Sequence, residues 1–202
     1  MQTEMTNINI ADAMLVERCR KGDSAAMERL ILKYQNRIYN VILKICANPH
    51  DAAELTQDTF VKVIENIKRF EGKSSFYTWT FRIAVNLTLN YCQRNAKFKL
   101  KSLDAESSED NYKAAQSLKE FLSDNSSSNP ATVAQNKELW DIALKSLMKL
   151  DDEQRTVIVL RDIEGMDYAQ IANVLEIKLG TVRSRISRAR NRLRQIMEAI
   201  LQ

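Results

Sequence analysis

Residues 167–194, DYAQIANVLEIKLGTVRSRISRARNRLR, decide how this chain folds. Asp167 to Leu175 pattern as a short amphipathic helix, preceded by Gly165-Met166. Glu176 to Gly180 form a connection, and Thr181 opens a second, longer helix. Two helices joined by a turn of that length match the bihelical unit that reads duplex DNA. On a wheel at ~100° per residue, Val182, Ile186, Ala189 and Leu193 share a narrow arc, which is the predicted buried face. Ser184, Ser187, Arg188 and Asn191 lie opposite. Arg183, Arg190 and Arg194 flank that face on one side, Arg185 and Arg192 on the other. Residues 178–194 carry seven basic side chains and no acidic one. Such a helix suits a major groove, with small polar groups and one arginine toward base edges and arginines at the rims toward phosphates. Base contacts are expected from Thr181, Ser184, Ser187 and Arg188 in its N-terminal half, with Lys178, Arg183, Arg185 and Asn191 completing the duplex-binding set. The competing reading is the solvated basic face of an ordinary surface helix.

Working outward, the composition agrees with helices. The chain has 202 residues, 45% hydrophobic and 28% charged, enough for one ordinary domain or two small ones. Glycine and proline together number only six, too few for a strand-rich fold that turns every ~8–12 residues. Neither G-x-G-x-x-G nor G-x-x-x-x-G-K-[ST] occurs, so no phosphate-cradling loop is expected. Cys19, Cys46 and Cys92 are odd in number and far apart; they read as small apolar core residues in a reducing compartment. His50, the one histidine, reads as a surface residue in a helix start. No nucleophile, metal or cofactor constellation emerges, so neither an enzyme nor a bound cofactor is expected. Asp51, Glu54 and Asp58 share a helix face that reads as protein-docking rather than metal-binding. With no leader-like N-terminus and no apolar run near ~20 residues, a soluble cytoplasmic protein without membrane insertion is expected.

The N-terminal half is periodic as well. Leu30, Ile31, Tyr34, Ile38, Ile42 and Ile45 form one stripe on a long helix starting near Ser24, capped by Asp23 or Ser24. A short helix over Asp12–Lys21 precedes it. Asn48-Pro49 starts a third helix, which places Leu55, Phe60, Val63, Ile64 and Ile67 inward and Glu54, Gln57, Asp58 and Glu65 outward. A fourth begins at Ser74 or Ser75. Between Lys101 and Pro130 lie eight serines and few large apolar residues, the signature of a linker; a short helix over Ala114–Leu122 is optional. The fold expected is all-α: two small helical domains joined by a flexible linker, the C-terminal one containing the helix-turn-helix. The bounds are 10–100, 101–134 and 135–202.

The fourth helix carries a second constellation. Phe76, Tyr77, Trp79 and Phe81 fall within six residues, inside a window from Gly72 to Leu103 that has Lys73, Arg82 and Arg94 but no acid. Rings beside cations suit a single strand, whose bases stack while its phosphates are held. Phe76, Trp79 and Ile83 share one helical face and are equally candidates for the core, whereas Tyr77 and Phe81 point elsewhere.

Three stretches together, DAAELTQDTF (51–60), FYTWTFRIAVN (76–86) and GTVRSRISRAR (180–190), resemble the extracytoplasmic-function (ECF) group of bacterial RNA polymerase sigma factors, in order and in spacing. The resemblance covers about 10–100 and 135–200. It implies a factor that binds core polymerase, directs it to promoters and promotes melting. Glu54, Leu55, Gln57, Asp58 and Phe60 would dock on the clamp helices of the largest subunit, with a second polymerase contact through the C-terminal domain. Arg69, Lys73, Phe76, Tyr77, Trp79, Arg82, Asn86, Asn90 and Arg94 would open and hold the −10 element as single strand. The last helix would read the −35 element as duplex. An anti-sigma factor would be a further partner.

The chain departs from the family in places. Glycine and proline are usual in the turn where it has Glu176 and Lys178. Cys92-Gln93-Arg94-Asn95 is less basic than is common. Asp151-Asp152-Glu153 replaces a proline-containing stretch with an acidic helix start. The alternative function is a stand-alone helix-turn-helix regulator, which would have no use for the aromatic-basic window.

Overall fold

The computed structural model describes residues 2–101, 142–143 and 145–201, with the side chains of residues 2–10, 96–101 and 201 excepted. Four helices form the N-terminal half: α1 (Gln2–Arg20), α2 (Ser24–Cys46), α3 (Pro49–Asn66) and α4 (Phe76–Lys101). A single 3-10 turn, Ile67–Arg69, follows α3. The C-terminal half contains α5 (Asp152–Ile158), a π turn at Val159–Ile163, α6 (Tyr168–Leu175) and α7 (Leu179–Leu201). No strand occurs among the described residues.

Local chemistry sets the boundaries. The Asp23 carboxylate accepts from the Ala26 amide at 3.1 Å and starts α2. That hydrogen bond, with the Arg18 guanidinium beside it, holds the carboxyl below its ordinary range. Asn48 caps α3 by accepting from the His50 and Asp51 amides, with Pro49 in the first turn, where its missing N–H costs nothing. Ser75 accepts from the Thr78 amide at 3.0 Å as α4 begins. The predicted α2 stripe is the core: Leu30, Ile38, Ile42 and Ile45 are fully buried. The first helix is longer than the 12–21 expected. Buried Asp12 pins it to α2, hydrogen-bonded to the Tyr34 hydroxyl and 2.5 Å from Lys33 Nζ.

In the C-terminal half, Asp151 caps α5 by accepting from the Gln154 amide. The acidic start that replaces the family's proline therefore functions as a cap. Asp167 and Gln170 form a reciprocal capping box on α6. The α6–α7 turn is closed by Glu176, whose φ of 54° lies in the left-handed region. In the family the chain resembles glycine is usual here, and the backbone keeps the glycine conformation without the glycine.

The two halves are not apart. Their buried side chains form one contiguous apolar cluster. Arg155, 6% exposed, donates to the carbonyls of Leu147, Met148 and Leu150 within its own half and to that of Ile45, at 2.7 Å, in the other. Lys44 Nζ lies 2.9 Å from Glu164 Oε1, with both side chains about nine-tenths buried. The linker expected over 101–134 and its optional helix lie outside the described residues, apart from Lys101, which closes α4.

Candidate nucleic-acid interface

The aromatic cluster divides into a base and a ridge. Phe70 and Phe76 are buried, their rings 6.3 Å apart and edge-on. The half-buried Trp79 indole rests on them, 4.9 Å from Phe70 and 6.1 Å from Phe76. Gly72, at φ 72°, lets the chain turn back between Phe70 and α4. Trp79 separates two grooves. One, of about 370 Å³, is lined by Lys62, Asn66, Arg69, Ile83, Asn86 and Asn90. The other, of about 610 Å³, has Arg69, Thr78, Arg82 and the Lys73–Glu71 ion pair on one wall, and Gln170 and Asn173 of α6 on the other. Exposed cations around an indole edge present both parts that a single strand needs, a stacking surface and phosphate partners.

Six of the nine single-strand candidates line these grooves: Arg69, Lys73, Trp79, Arg82, Asn86 and Asn90. Arg94 is exposed one turn further on, its Nε donating to the Asn90 carbonyl. Phe76 is 3% exposed and supports Trp79 from below. Tyr77 stands apart, among Tyr34 and Phe81 with the Arg37 guanidinium 4.1 Å above its ring. Burial pushes its phenol up to about 12, against the pull of Arg37 and with the Glu164 carboxylate adding. Phe81, expected to point away from the core, is fully buried, because α4 is covered on more than one side.

Helix α7 follows the wheel. Val182, Ile186 and Ala189 are buried and Leu193 half-buried; Ser184, Ser187, Arg188 and Asn191 are exposed. Lys178 and Arg183 are exposed and Thr181 half-buried. Two flanking arginines pair with surface acids of the preceding elements: Arg185 lies 3.1 Å from Glu153, and Arg190 makes a two-pronged contact with Asp162 at 2.5 and 3.2 Å. These pairs fix the roll of α7 on α5 and the π turn. Arg188 leans along its own helix, Nε donating to the Ser184 carbonyl at 3.3 Å.

On α3, Glu54, Gln57 and Asp58 are exposed, whereas Leu55 and Phe60 are 5% and 6% exposed and belong to the core. The predicted docking residues are thus three at the surface and two beneath it. Ile64, expected inward, is half-exposed, as is Val61. Both continue the Glu54–Gln57–Asp58 face at steps of three, so the α3 surface is acidic at its start and apolar further on. Lys62 and Asn66 in the first groove were also missed; their spacing to Arg69 was the available signal. His50 is exposed, Nδ1 3.6 Å from Glu54. Among the described residues no group of His, Cys, Asp or Glu is placed to hold a metal. None of their helices is long and apolar enough to cross a membrane.

Two family profiles match the chain: Sigma-70 region 2 over residues 30–98 and Sigma-70 region 4 over residues 141–193. The ECF RNA polymerase sigma-E factor of Escherichia coli (strain K12) is 34% identical over 182 residues, 90% of this chain and 91% of that protein. The RNA polymerase sigma-H factor of Pseudomonas aeruginosa is 32% identical over 194 residues, 94% and 95% of the two chains. Among solved structures, CnrH in complex with the cytosolic domain of CnrY has a TM-score of 0.59 and 25% identity, covering 94% of this chain and 98% of that one. The sigma factor RpoE of Bartonella quintana, solved with the anti-sigma factor NepR, has a TM-score of 0.58 and 21% identity, with coverage of 85% and 96%.

Proposed function

The chain belongs to the ECF group of RNA polymerase sigma factors, and from that premise we propose how its surfaces divide the work. A sigma factor binds core polymerase, directs it to promoters and takes part in initiation; it carries no reaction of its own. Residues 10–100 form the unit that docks on polymerase and handles the −10 element. Residues 135–202 form the unit that reads the −35 element, and 101–134 connect them.

The observation that carries this reading is the ridge of Trp79 between two cation-lined grooves. A duplex-only regulator needs no such surface. Arg69, Lys73, Arg82 and Arg94 hold phosphates of the displaced strand. Asn86 and Asn90 offer donors and acceptors to unstacked bases, and Trp79 blocks re-stacking. Phe76 acts from beneath, holding the indole in place, and Tyr77 keeps the far side of α4 packed. On the duplex, Thr181, Ser184, Ser187, Arg188 and Asn191 face base edges, while Lys178 and Arg183 face the backbone, and Arg185 joins them by exchanging Glu153 for a phosphate. Glu54, Gln57 and Asp58 meet the clamp helices of the largest subunit, positioned by Leu55 and Phe60; the C-terminal unit makes a second polymerase contact. CnrH was solved with the cytosolic domain of CnrY, and RpoE of Bartonella quintana with the anti-sigma factor NepR; an anti-sigma factor is the further partner assigned here. The site of action is the cytoplasm, where core polymerase meets DNA.

The test is holoenzyme carrying Trp79→Ala on a promoter fragment, read by permanganate reactivity of unpaired thymines. The expected outcome is promoter binding with the bubble lost and with helical circular dichroism unchanged. A folded variant that opens the promoter as well as the parent would refute the assignment of Trp79.

A further inference from the structure

We propose that the single-strand path continues past the Trp79 grooves, across Arg69, onto a third concavity. There Arg20 and Lys68 hold phosphates of the nucleotides next to the −10 element. The proposal rests on the reading of the Trp79 ridge given above. It adds two phosphate-holding residues, one from the end of α1 and one from the 3-10 turn. Neither belongs to the aromatic-basic window of α4.

Arg20 lies in the last turn of α1, and Lys68 and Arg69 in the 3-10 turn that α1 packs against. With Phe70 and Glu71 they line an open concavity of about 710 Å³. Arg69 lines this concavity and both Trp79 grooves, so the three meet at one side chain. A strand held at Arg69 beside the indole therefore has Lys68 and Arg20 on its way toward α1. The charge there is not cancelled. Nearby acids already have other partners: Asp23 has Arg18, Glu65 has Lys62 and Glu71 has Lys73. Arg20 Nη1 lies 2.5 Å from Glu17 Oε1, but its Nε is buried with no partner among the described residues. Lys68 and Arg69 are exposed, and neither has an ion-pair partner among the described residues.

Helix-dipole complementarity does not account for this cluster. A cation in the last turn of a helix is favourable, and Arg18 and Arg20 both occupy that turn of α1. Lys68 and Arg69 instead close a three-residue 3-10 turn, too short to build up a macrodipole. Cations without acids, beside a stacking surface, match a polyanion whose bases are already held. No amide or hydroxyl side chain lines the concavity. Its contact is therefore to phosphates, which position a strand without reading its sequence.

The experiment uses holoenzyme assembled from core polymerase and the full chain. The probes are fluorescent single strands carrying the displaced-strand −10 element of a promoter that the holoenzyme transcribes. The short probe ends with the element; longer ones extend it by a few nucleotides on the 5′ or the 3′ side. Binding is read by anisotropy over a range of salt. The parent should bind one extended strand more tightly than the short one. In Arg20→Gln/Lys68→Gln that gain should disappear, with affinity for the short strand unchanged. On the extended strand the slope of log K against log salt should become shallower by ~1.4, two contacts at ~0.7 each. Arg29→Gln removes an exposed cation of α2 outside the concavity and should leave gain and slope in place. No gain from either extension in the parent, or gain and slope retained in the folded double variant, would overturn the proposal. Weaker binding of core polymerase by the double variant, with the gain retained, would also overturn it and assign these cations to a protein surface. The Trp79 reading is tested separately by short-strand affinity in Trp79→Ala, which fails that reading if it equals the parent's.

Discussion

Glu176 shows what one backbone angle costs. Its φ of 54° places a β-carbon where glycine has none, a strain of roughly 1 kcal/mol. The turn persists because the Glu176 N–H still reaches the Ala172 carbonyl and the capped helices on either side fix the chain direction. Glu176→Gly should therefore raise the stability of the folded chain by about 1 kcal/mol, seen as a higher midpoint in urea. A lower midpoint would show that the side chain contributes more than the strain removes. Arg155 is the opposite case, a buried cation satisfied by carbonyls from two segments and by the Asp152 carboxylate at 3.2 Å. Arg155→Met leaves those oxygens without a donor in a dry site and should cost about 3 kcal/mol. The thiols of Cys46 and Cys92 are pushed up to about 12, chiefly by burial. Both should stay protonated, and resist alkylation by iodoacetamide in the native chain, from pH 7 to pH 9. They should react once the chain is unfolded, where the ordinary thiol range near 8.5 returns. Native labelling at pH 8 at the unfolded rate would contradict that.

At the scale of one helix, α7 was the most legible element and α4 the least. The α7 pattern repeats cleanly at 3.6 residues, so buried Val182, Ile186 and Ala189 and exposed Ser184, Ser187 and Arg188 follow from the wheel. Periodicity cannot say which arginines are taken up by acids elsewhere in the chain, and Arg185 and Arg190 are. The prediction for this helix is a contrast. Arg188→Ala should relax sequence selectivity on −35 duplexes by roughly 1–3 kcal/mol. Arg185→Ala should lower stability by no more than about 1 kcal/mol, as an exposed pair does, with less effect on selectivity. Equal losses on all duplexes for Arg188→Ala would make it a phosphate contact. Helix α4 defeated the wheel because it is covered from more than one direction. Phe81 is buried, while Trp79 stays half-open on a face shared with buried Phe76. Ile64 was misplaced on α3 for a related reason: hydrophobicity alone assigns an isoleucine to the core, whereas this one continues an outward face.

At the scale of the molecule, the sequence announced two helical units, two basic surfaces and a serine-rich connection, and the family follows from the motifs those surfaces carry. It gave no sign that the units dock. The contacts that join them, Lys44 to Glu164 and Arg155 to Ile45, link positions more than a hundred residues apart with no periodic trace. What separates a polymerase specificity factor from a stand-alone regulator is likewise a property of the whole: two reading faces acting together on one promoter, in the presence of core enzyme. The most direct measurement is run-off transcription by purified core RNA polymerase on a pool of promoter fragments, with and without this chain, and with permanganate mapping of the templates that are used. The account predicts specific transcripts and an open bubble around the −10 element that require the chain. Tight sequence-specific binding of the chain alone, with no bubble and no transcript when core polymerase is added, would contradict it.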